Sequence, residues 1–273
     1  MRRVFLGAGL AAVVAVGAGA IALAQSGASA PPAFLPGYLQ RVDIPNSLAI
    51  VPPAPEPGSA TQARDEAERK AAEAFRSGPR WDLATRDADL HFPAAAGAYS
   101  CALNAPISAE ATPRLYVLLR KVLADAGAST YPSKTRYHRP RPFMVRGGEV
   151  CTPADAEHLR NDGSYPSGHA AVGWAWALVL AEVSPDHQDQ ILARGRAFMQ
   201  SRVICNVHWR SDIEAGGEMG AAVVARLHAD PAFRADVEAA RSEIAAAHAA
   251  GLAPARDCKA EAAALALAPI TQP

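Results

Sequence analysis

Thr112-Pro113-Arg114-Leu115-Tyr116-Val117-Leu118-Leu119-Arg120-Lys121-Val122-Leu123-Ala124-Asp125-Ala126-Gly127 carries the start, the stripe and the stop of one amphipathic helix. Thr112 is a good N-cap, Pro113 fits the first helical position, and Leu115, Leu118, Leu119, Val122 and Leu123 recur on one face before Gly127 closes it. The same grammar extends outward. An apolar helix is expected over residues 168–183, with Trp174, Trp176 and Leu180 on its core face; Ser184-Pro185 stops it and starts the next, to about residue 203. Helices over 212–229 and 231–250 follow, the last capped by Asp230. Upstream, a strongly charged helix over 60–76 ends at Ser77-Gly78-Pro79, residues 81–89 suit a short helix, and 92–99 read as a loop or a helix start. No strand-like alternation persists and no internal repeat is visible, so the expected fold class is all-α, a single-domain helical bundle.

Composition agrees. Of 273 residues, 50% are hydrophobic, 20% charged and only 6% aromatic, which favours helices over a sandwich of aromatic and β-branched strands and argues against general disorder. With 27 basic against 27 acidic side chains, the chain lacks the excess of positive charge from which a nucleic-acid binder draws its affinity. Arg2 and Arg3 precede an uncharged apolar run that ends in Ala22-Leu23-Ala24, so residues 1–24 read as a signal peptide cleaved before Gln25. Cleavage after Ala30 is the second choice, and an uncleaved anchor the alternative. Removing 1–24 leaves 25 basic against 27 acidic groups and no further stretch long enough to span a bilayer, so the mature protein is expected in the periplasm, or secreted, without a membrane anchor. Residues 25–58, with Pro52-Pro53-Ala54-Pro55-Glu56-Pro57, read as an irregular Pro-rich arm, 59–250 as the functional domain, and 251–273 as a C-terminal tail. Cys101, Cys151, Cys205 and Cys258 contain no C-x-x-C pair, which in an oxidising compartment points to two disulfides, with three pairings open and buried thiols as the alternative.

Three polar clusters carry chemistry. In Lys134-Thr-Arg-Tyr-His-Arg-Pro-Arg141-Pro142, residues that precede Pro are pushed out of helical geometry, so an extended segment is expected to turn Lys134 and Arg141 toward a common anion. Gly163-Ser164-Tyr165-Pro166-Ser167-Gly168-His169 runs into the apolar helix, whose first turn offers unpaired amides to negative charge. There Ser167 either caps the helix or donates to the anion, and His169 is placed to protonate a departing oxygen. Tyr165 either packs under this loop or lines a pocket mouth. In Ser201-Arg202-Val-Ile-Cys205-Asn206-Val207-His208-Trp209-Arg210-Ser211-Asp212, the four-residue spacing brings Asp212 to one ring nitrogen of His208, which leaves the other free to attack, and Trp209 is a candidate to brace His208. A metal site is not expected, since no H-E-x-x-H and no Cys/His partner at zinc spacing accompanies this pair. His91, His138, His158, His187, His228 and His248 fall outside these catalytic positions and are expected at the surface or at caps.

Taken together, Lys-x6-Arg-Pro, Pro-Ser-Gly-His and Ser-Arg-x5-His-x3-Asp resemble the type-2 phosphatidic acid phosphatase superfamily, whose helical fold is shared with vanadium-dependent haloperoxidases. The Gly-Ser-Tyr-Pro-Ser-Gly-His run and the leader are similar to those of the bacterial class A non-specific acid phosphatases. One departure is Ala170, where the pattern commonly has Thr. The resemblance implies a metal-free and cofactor-free phosphatase of broad specificity acting on small-molecule phosphomonoesters, nucleotides among the candidates. His208 would form a phosphohistidine, Asp212 would hold its ring, and His169 would serve the leaving alcohol. Lys134, Arg141, Ser167, Gly168 and Arg202 would bind the phosphate oxygens, with Arg139 at most behind them or at the substrate rim. Alternatives are an apyrase-like nucleoside tri- and diphosphate hydrolase or a phosphotransferase, then a vanadate-dependent haloperoxidase, a phosphate-binding protein without turnover, and a lipid phosphatase. A homo-oligomer is compatible with the sequence, which leaves the oligomeric state open.

Overall fold

The computed structural model describes Met1 and residues 34–267. The leader read over 1–24, the arm up to residue 33 and the end of the tail, 268–273, lie outside the described residues. Among the described residues all regular structure is helical: α1 (Ser47–Ile50), α2 (Ala60–Ala72), α3 (Pro79–Asp87), α4 (Ser100–Leu103), α5 (Pro113–Ser129), α6 (Tyr131–Tyr137), α7 (Pro142–Arg146), α8 (Ala156–Arg160), α9 (Gly168–Val183), α10 (Gln188–Ile204), α11 (Arg210–Leu227), α12 (Pro231–Ala249) and α13 (Cys258–Leu265), with short 3-10 turns between them. The all-α bundle expected from the sequence is the fold observed. No helix among the described residues is long and apolar enough to cross a membrane.

The central helix is α9, and its sequence says why. Gly168–Val183 carries no charge except Glu182, so it is apolar on nearly every side, and such a helix is stable only when surrounded. It packs against α5, α10, α11 and α12. The Leu stripe of α5 meets Val172, Trp176 and Val179 of α9, with Phe198, Val223, Leu227 and Phe233 closing the core. Polar atoms inside this core are paired, as burial requires: the Trp176 indole donates to the Leu119 carbonyl at 2.8 Å and the Tyr99 hydroxyl to the Gly173 carbonyl at 2.6 Å. Trp176 and Leu180 are fully buried as expected, whereas Trp174 is only partly so.

Two further features set the position of the polar clusters. First, α9 and α11 cross so closely that a Cβ on Gly216 would lie 2.5 Å from the Ser167 carbonyl oxygen, and one on Gly220 2.5 Å from that of Ala171. This crossing joins the start of α9, which carries Ser167 and His169, to the start of α11, which carries Asp212. Second, α10 is fastened to α3 and α13 by a buried network: Arg194 binds Asp87 with both terminal nitrogens, Ser201 donates to Asp87 at 2.7 Å, Arg80 donates to Ser201 at 3.0 Å, and Arg194 meets Glu261 at 3.2 Å. The residue after Ser201 is Arg202.

Several expectations need correction. The Lys134–Arg141 segment is not extended throughout, because Pro132 sits in the first turn of α6 and Lys134 lies on that helix; His138 closes α6 in the left-handed region at a φ of 42°, and Arg141, just before Pro142, is extended. The Pro-rich arm is docked rather than loose from residue 34 onward, with the amides of Tyr38 and Leu39 donating to the buried Asp125 carboxylate and the Ser47 hydroxyl bound to the start of α6. The tail carries α13, held by the Cys101–Cys258 disulfide; the second bridge is Cys151–Cys205, and no cysteine is free.

Gly220→Ala tests the crossing. The added methyl must push α11 off α9, and we expect a loss of about 1–3 kcal/mol, read as a fall of several degrees in the thermal unfolding midpoint.

Candidate active site

The sequence places the key imidazole between two helices. After α10 ends, Asn206 adopts a φ of 60° and turns the chain, so that His208 stands in the short loop before α11. Asp212, the third residue of α11 and four beyond His208, reaches back over the first turn of the helix: its Oδ2 accepts the Trp209 amide at 2.8 Å and faces His208 Nδ1 at 3.3 Å. Carboxylates only accept, so Nδ1 carries the hydrogen. The other nitrogen, Nε2, lies 2.9 Å from Arg141 Nη1, and a guanidinium only donates. Both partners therefore fix one neutral tautomer with its lone pair on Nε2. Burial first, and then Arg141, Lys134 and Arg202, pushes the His208 pKa well below that of a free imidazole.

Asp212 is itself held. Arg139 donates to its Oδ1 at 2.6 Å and to Asp65 on α2 at 2.7 Å, while Asp65 also accepts the Ser211 amide and hydroxyl at 2.8 and 2.6 Å. Arg139 and Asp65 are both buried, so Arg139 is a support behind the imidazole and not part of the substrate rim. Trp209 is buried too, with its indole on the Pro140 carbonyl at 2.9 Å, beside Arg139.

Three cations meet on the other side of the ring. Arg141 is buried and placed by the carbonyls of Leu159, Asp162 and Val207. Lys134 and Arg141 share one carboxylate oxygen, Asp162 Oδ2, at 2.9 Å each. Burial and the neighbouring Arg141 push the Lys134 ammonium down to about 8, against the pull of Asp162. The third cation, Arg202, is buried, yet its Nε and Nη1 have no hydrogen-bond partner among the described residues. Burial and Arg141 push its pKa down to about 9. An unsatisfied, desolvated guanidinium beside two other cations is costly unless an anion completes it.

The Gly-Ser-Tyr-Pro-Ser-Gly-His loop closes the site. Gly163 lies against the end of α6, where a Cβ would come within 2.7 Å of the Lys134 carbonyl oxygen, so only glycine permits this approach. Tyr165 packs under the loop, its hydroxyl on the Pro52 carbonyl at 2.8 Å, and Ala170 is buried behind the histidine. Ser167 caps α9 by accepting the Ala170 amide at 3.2 Å, and its own amide donates to the Asp212 carbonyl at 2.9 Å. The hydroxyl hydrogen of Ser167 is not consumed by that cap. His169 is half-buried; its Nε2 donates to the Ala88 carbonyl at 2.9 Å, and burial and Arg202 push its pKa well down.

Lys134, Arg141, Gly168, His169, Arg202 and His208 line a single cleft of about 400 Å³, so the three sequence clusters converge. Ser167 stands just behind this lining. Sequence reasoning missed Asp65 and Asp162, which look like ordinary solvent-facing acids in charged stretches. It also set aside His91 and His158, both of which line the cleft. No group of three or more His, Cys, Asp or Glu side chains suited to a metal ion occurs among the described residues.

Comparison with known proteins identifies the family. The model of the PAP2 superfamily matches residues 115–235. A non-specific acid phosphatase of Providencia stuartii is 41% identical over 209 residues, which cover 76% of this chain and 84% of that protein. An acid phosphatase of Zymomonas mobilis is 40% identical over 197 residues, or 72% and 75% of the two chains, and a non-specific acid phosphatase of Salmonella typhimurium is 38% identical over 200 residues, or 73% and 80%. With three clusters gathered around one imidazole and this degree of identity across most of both chains, the protein belongs to the non-specific acid phosphatases of the PAP2 superfamily.

Proposed function

We propose that this acid phosphatase hydrolyses small phosphate monoesters through a phosphohistidine, without a metal ion, and that it works beyond the inner membrane. The single observation that carries the mechanism is the buried His208 with Nε2 turned toward the cation cluster, in which Arg202 keeps two buried nitrogens, Nε and Nη1, without partners among the described residues. When a phosphate dianion enters, Arg202 gains acceptors and Arg141 can exchange Nε2 for a phosphate oxygen, which frees the lone pair. Nε2 then attacks phosphorus as the bond to the ester oxygen breaks. Lys134, Arg141, Arg202, Ser167 and the Gly168 amide hold the charge on the non-bridging oxygens, the work a metal ion does elsewhere.

His169 supplies the proton that the leaving alkoxide needs. Its Nε2 hydrogen is engaged with Ala88, so the mobile proton belongs to Nδ1. In the second step water attacks the phosphohistidine, gives its proton back to Nδ1, and breaks the phosphorus–nitrogen bond. Dividing the hydrolysis in this way replaces one high barrier by two lower ones. Burial and the neighbouring cations hold both imidazoles well below the free value, so each is neutral before substrate enters. The bound dianion opposes those cations and raises the protonated fraction of His169, the ring placed to serve the leaving oxygen. The leader read over 1–24 and the two disulfides support export to an oxidising compartment.

Three outcomes test this reading. His208→Ala should lower kcat by about 10⁴ or more and leave no label on the protein after a quench that avoids acid, whereas His169→Ala should cost about 10²–10⁴ with alkyl phosphates and far less with p-nitrophenyl phosphate. Equal losses across leaving groups would remove His169 from the acid role. A chelator such as EDTA should leave turnover unchanged, and loss with rescue by a divalent cation would refute the metal-free mechanism. Finally, Lys134 loses its charge above about 8, so KM should rise through that pH, and in Lys134→Arg the rise should be delayed to about 9, where Arg202 begins to lose its own charge.

A further inference from the structure

The cleft has an inner and an outer part of different chemistry. Its three strong cations, Lys134, Arg141 and Arg202, all surround the phosphate position, and no other Lys or Arg lines it among the described residues. The rest of the lining includes Phe34, Leu90, His91, Leu123, Tyr131 and His158, and the carboxylate of Asp155, which also acts on Arg202. Two of these rings are organised. His91 is fixed by Asp89, whose Oδ1 accepts its backbone amide at 2.8 Å and lies 3.0 Å from its Nδ1, and the Phe34 ring rests against His91 with centroids 5.5 Å apart.

Phe34 is delivered by the docked arm. Four residues on, the amides of Tyr38 and Leu39 are held by Asp125, the Tyr38 hydroxyl donates to Asp236 at 2.7 Å, and the Tyr38 ring packs edge-on against Phe233 at 5.4 Å. The arm therefore supplies one wall of the substrate cleft. Half of the Phe34 surface remains open, at 50% exposure, as does that of Tyr131 at 59%, although large aromatic side chains gain by being covered.

We propose that Phe34, backed by His91, is a specificity-determining residue that receives a flat, uncharged ring carried by the leaving alcohol, so that the preferred substrates are monoesters with one phosphate and a planar ring system. Such a ring fits by stacking and apolar contact, which tolerate many ring identities. A second or third phosphate on the same ester would meet Asp155, aromatic and aliphatic side chains and the two histidines His91 and His158, with no further Lys or Arg to take its charge. This inference rests on the phosphatase reading above and narrows it, against hydrolysis of nucleoside triphosphates.

The experiment compares adenosine 5′-monophosphate with ribose 5-phosphate, which present the same kind of primary alcohol with and without a base, and adds adenosine 5′-triphosphate. In the full-length exported enzyme we expect the monophosphate to have a KM lower than ribose 5-phosphate by about fivefold or more, with similar kcat, and the triphosphate to be the poorest of the three in kcat/KM. Phe34→Ala, an exposed position whose loss should not unfold the protein, should raise the KM of the nucleotide toward that of the sugar phosphate and leave ribose 5-phosphate unchanged. His91→Ala should move the same ratio in the same direction. Equal KM values for the two monoesters, an unchanged ratio in Phe34→Ala, or a triphosphate cleaved as well as the monophosphate would each overturn the inference while leaving the phosphatase intact. Absence of turnover with both monoesters would overturn the phosphatase reading and this inference together.

Discussion

The contact on which the site turns is the one between a guanidinium and an uncharged imidazole, Arg141 Nη1 and His208 Nε2, 2.9 Å apart. It exists only because the ring is neutral, and the ring is neutral because it is buried among positive charges. That arrangement asks much of the surrounding fold. Positive charges that repel one another must be kept in place without a permanent counter-ion at the centre. The chain does so from outside, with Asp162 spanning Lys134 and Arg141 and backbone carbonyls fixing the guanidinium plane of Arg141.

Most of the bundle was legible from periodicity and boundary residues. The α5 stripe, the all-apolar α9 and the Asp230-Pro231 start of α12 are local signals, and local signals survive folding because each helix buries the face its pattern defines. The stretch from Lys134 differs from its expected extended form for an equally physical reason. Within it the restriction before proline acts on Arg139 and Arg141, whereas Lys134–Tyr137 belong to a helix that Pro132 opens. The helix from Cys258 was hidden because its anchor is tertiary, a disulfide to Cys101 and an ion pair to Arg194.

The site divides in the same way. The convergence of His208, Asp212, His169 and the three cations was legible because each lies in a motif whose spacing already pairs residue types that suit one another. Asp65, Asp162 and Arg139 act through other side chains, and nothing in a linear reading separates a buried acid on a charged helix from a solvated one. Their roles follow from where α2 and the loop before α9 come to rest. The same holds for His91 and Phe34, which reach the cleft from segments with no motif.

The amide of Ser167 bonded to the Asp212 carbonyl, and the glycine crossing beneath it, tie the segments that carry His169 and His208 to each other. The rest of the cleft is lined from other segments, the arm and the turns around α3 and α8. The two imidazoles and the remaining walls are thus held by separable parts of the chain. Descendants of this protein can exchange one alcohol for another by drift in the walls while the reacting atoms keep their spacing, which is how a single scaffold can spread across many metabolites without relearning how to break the ester.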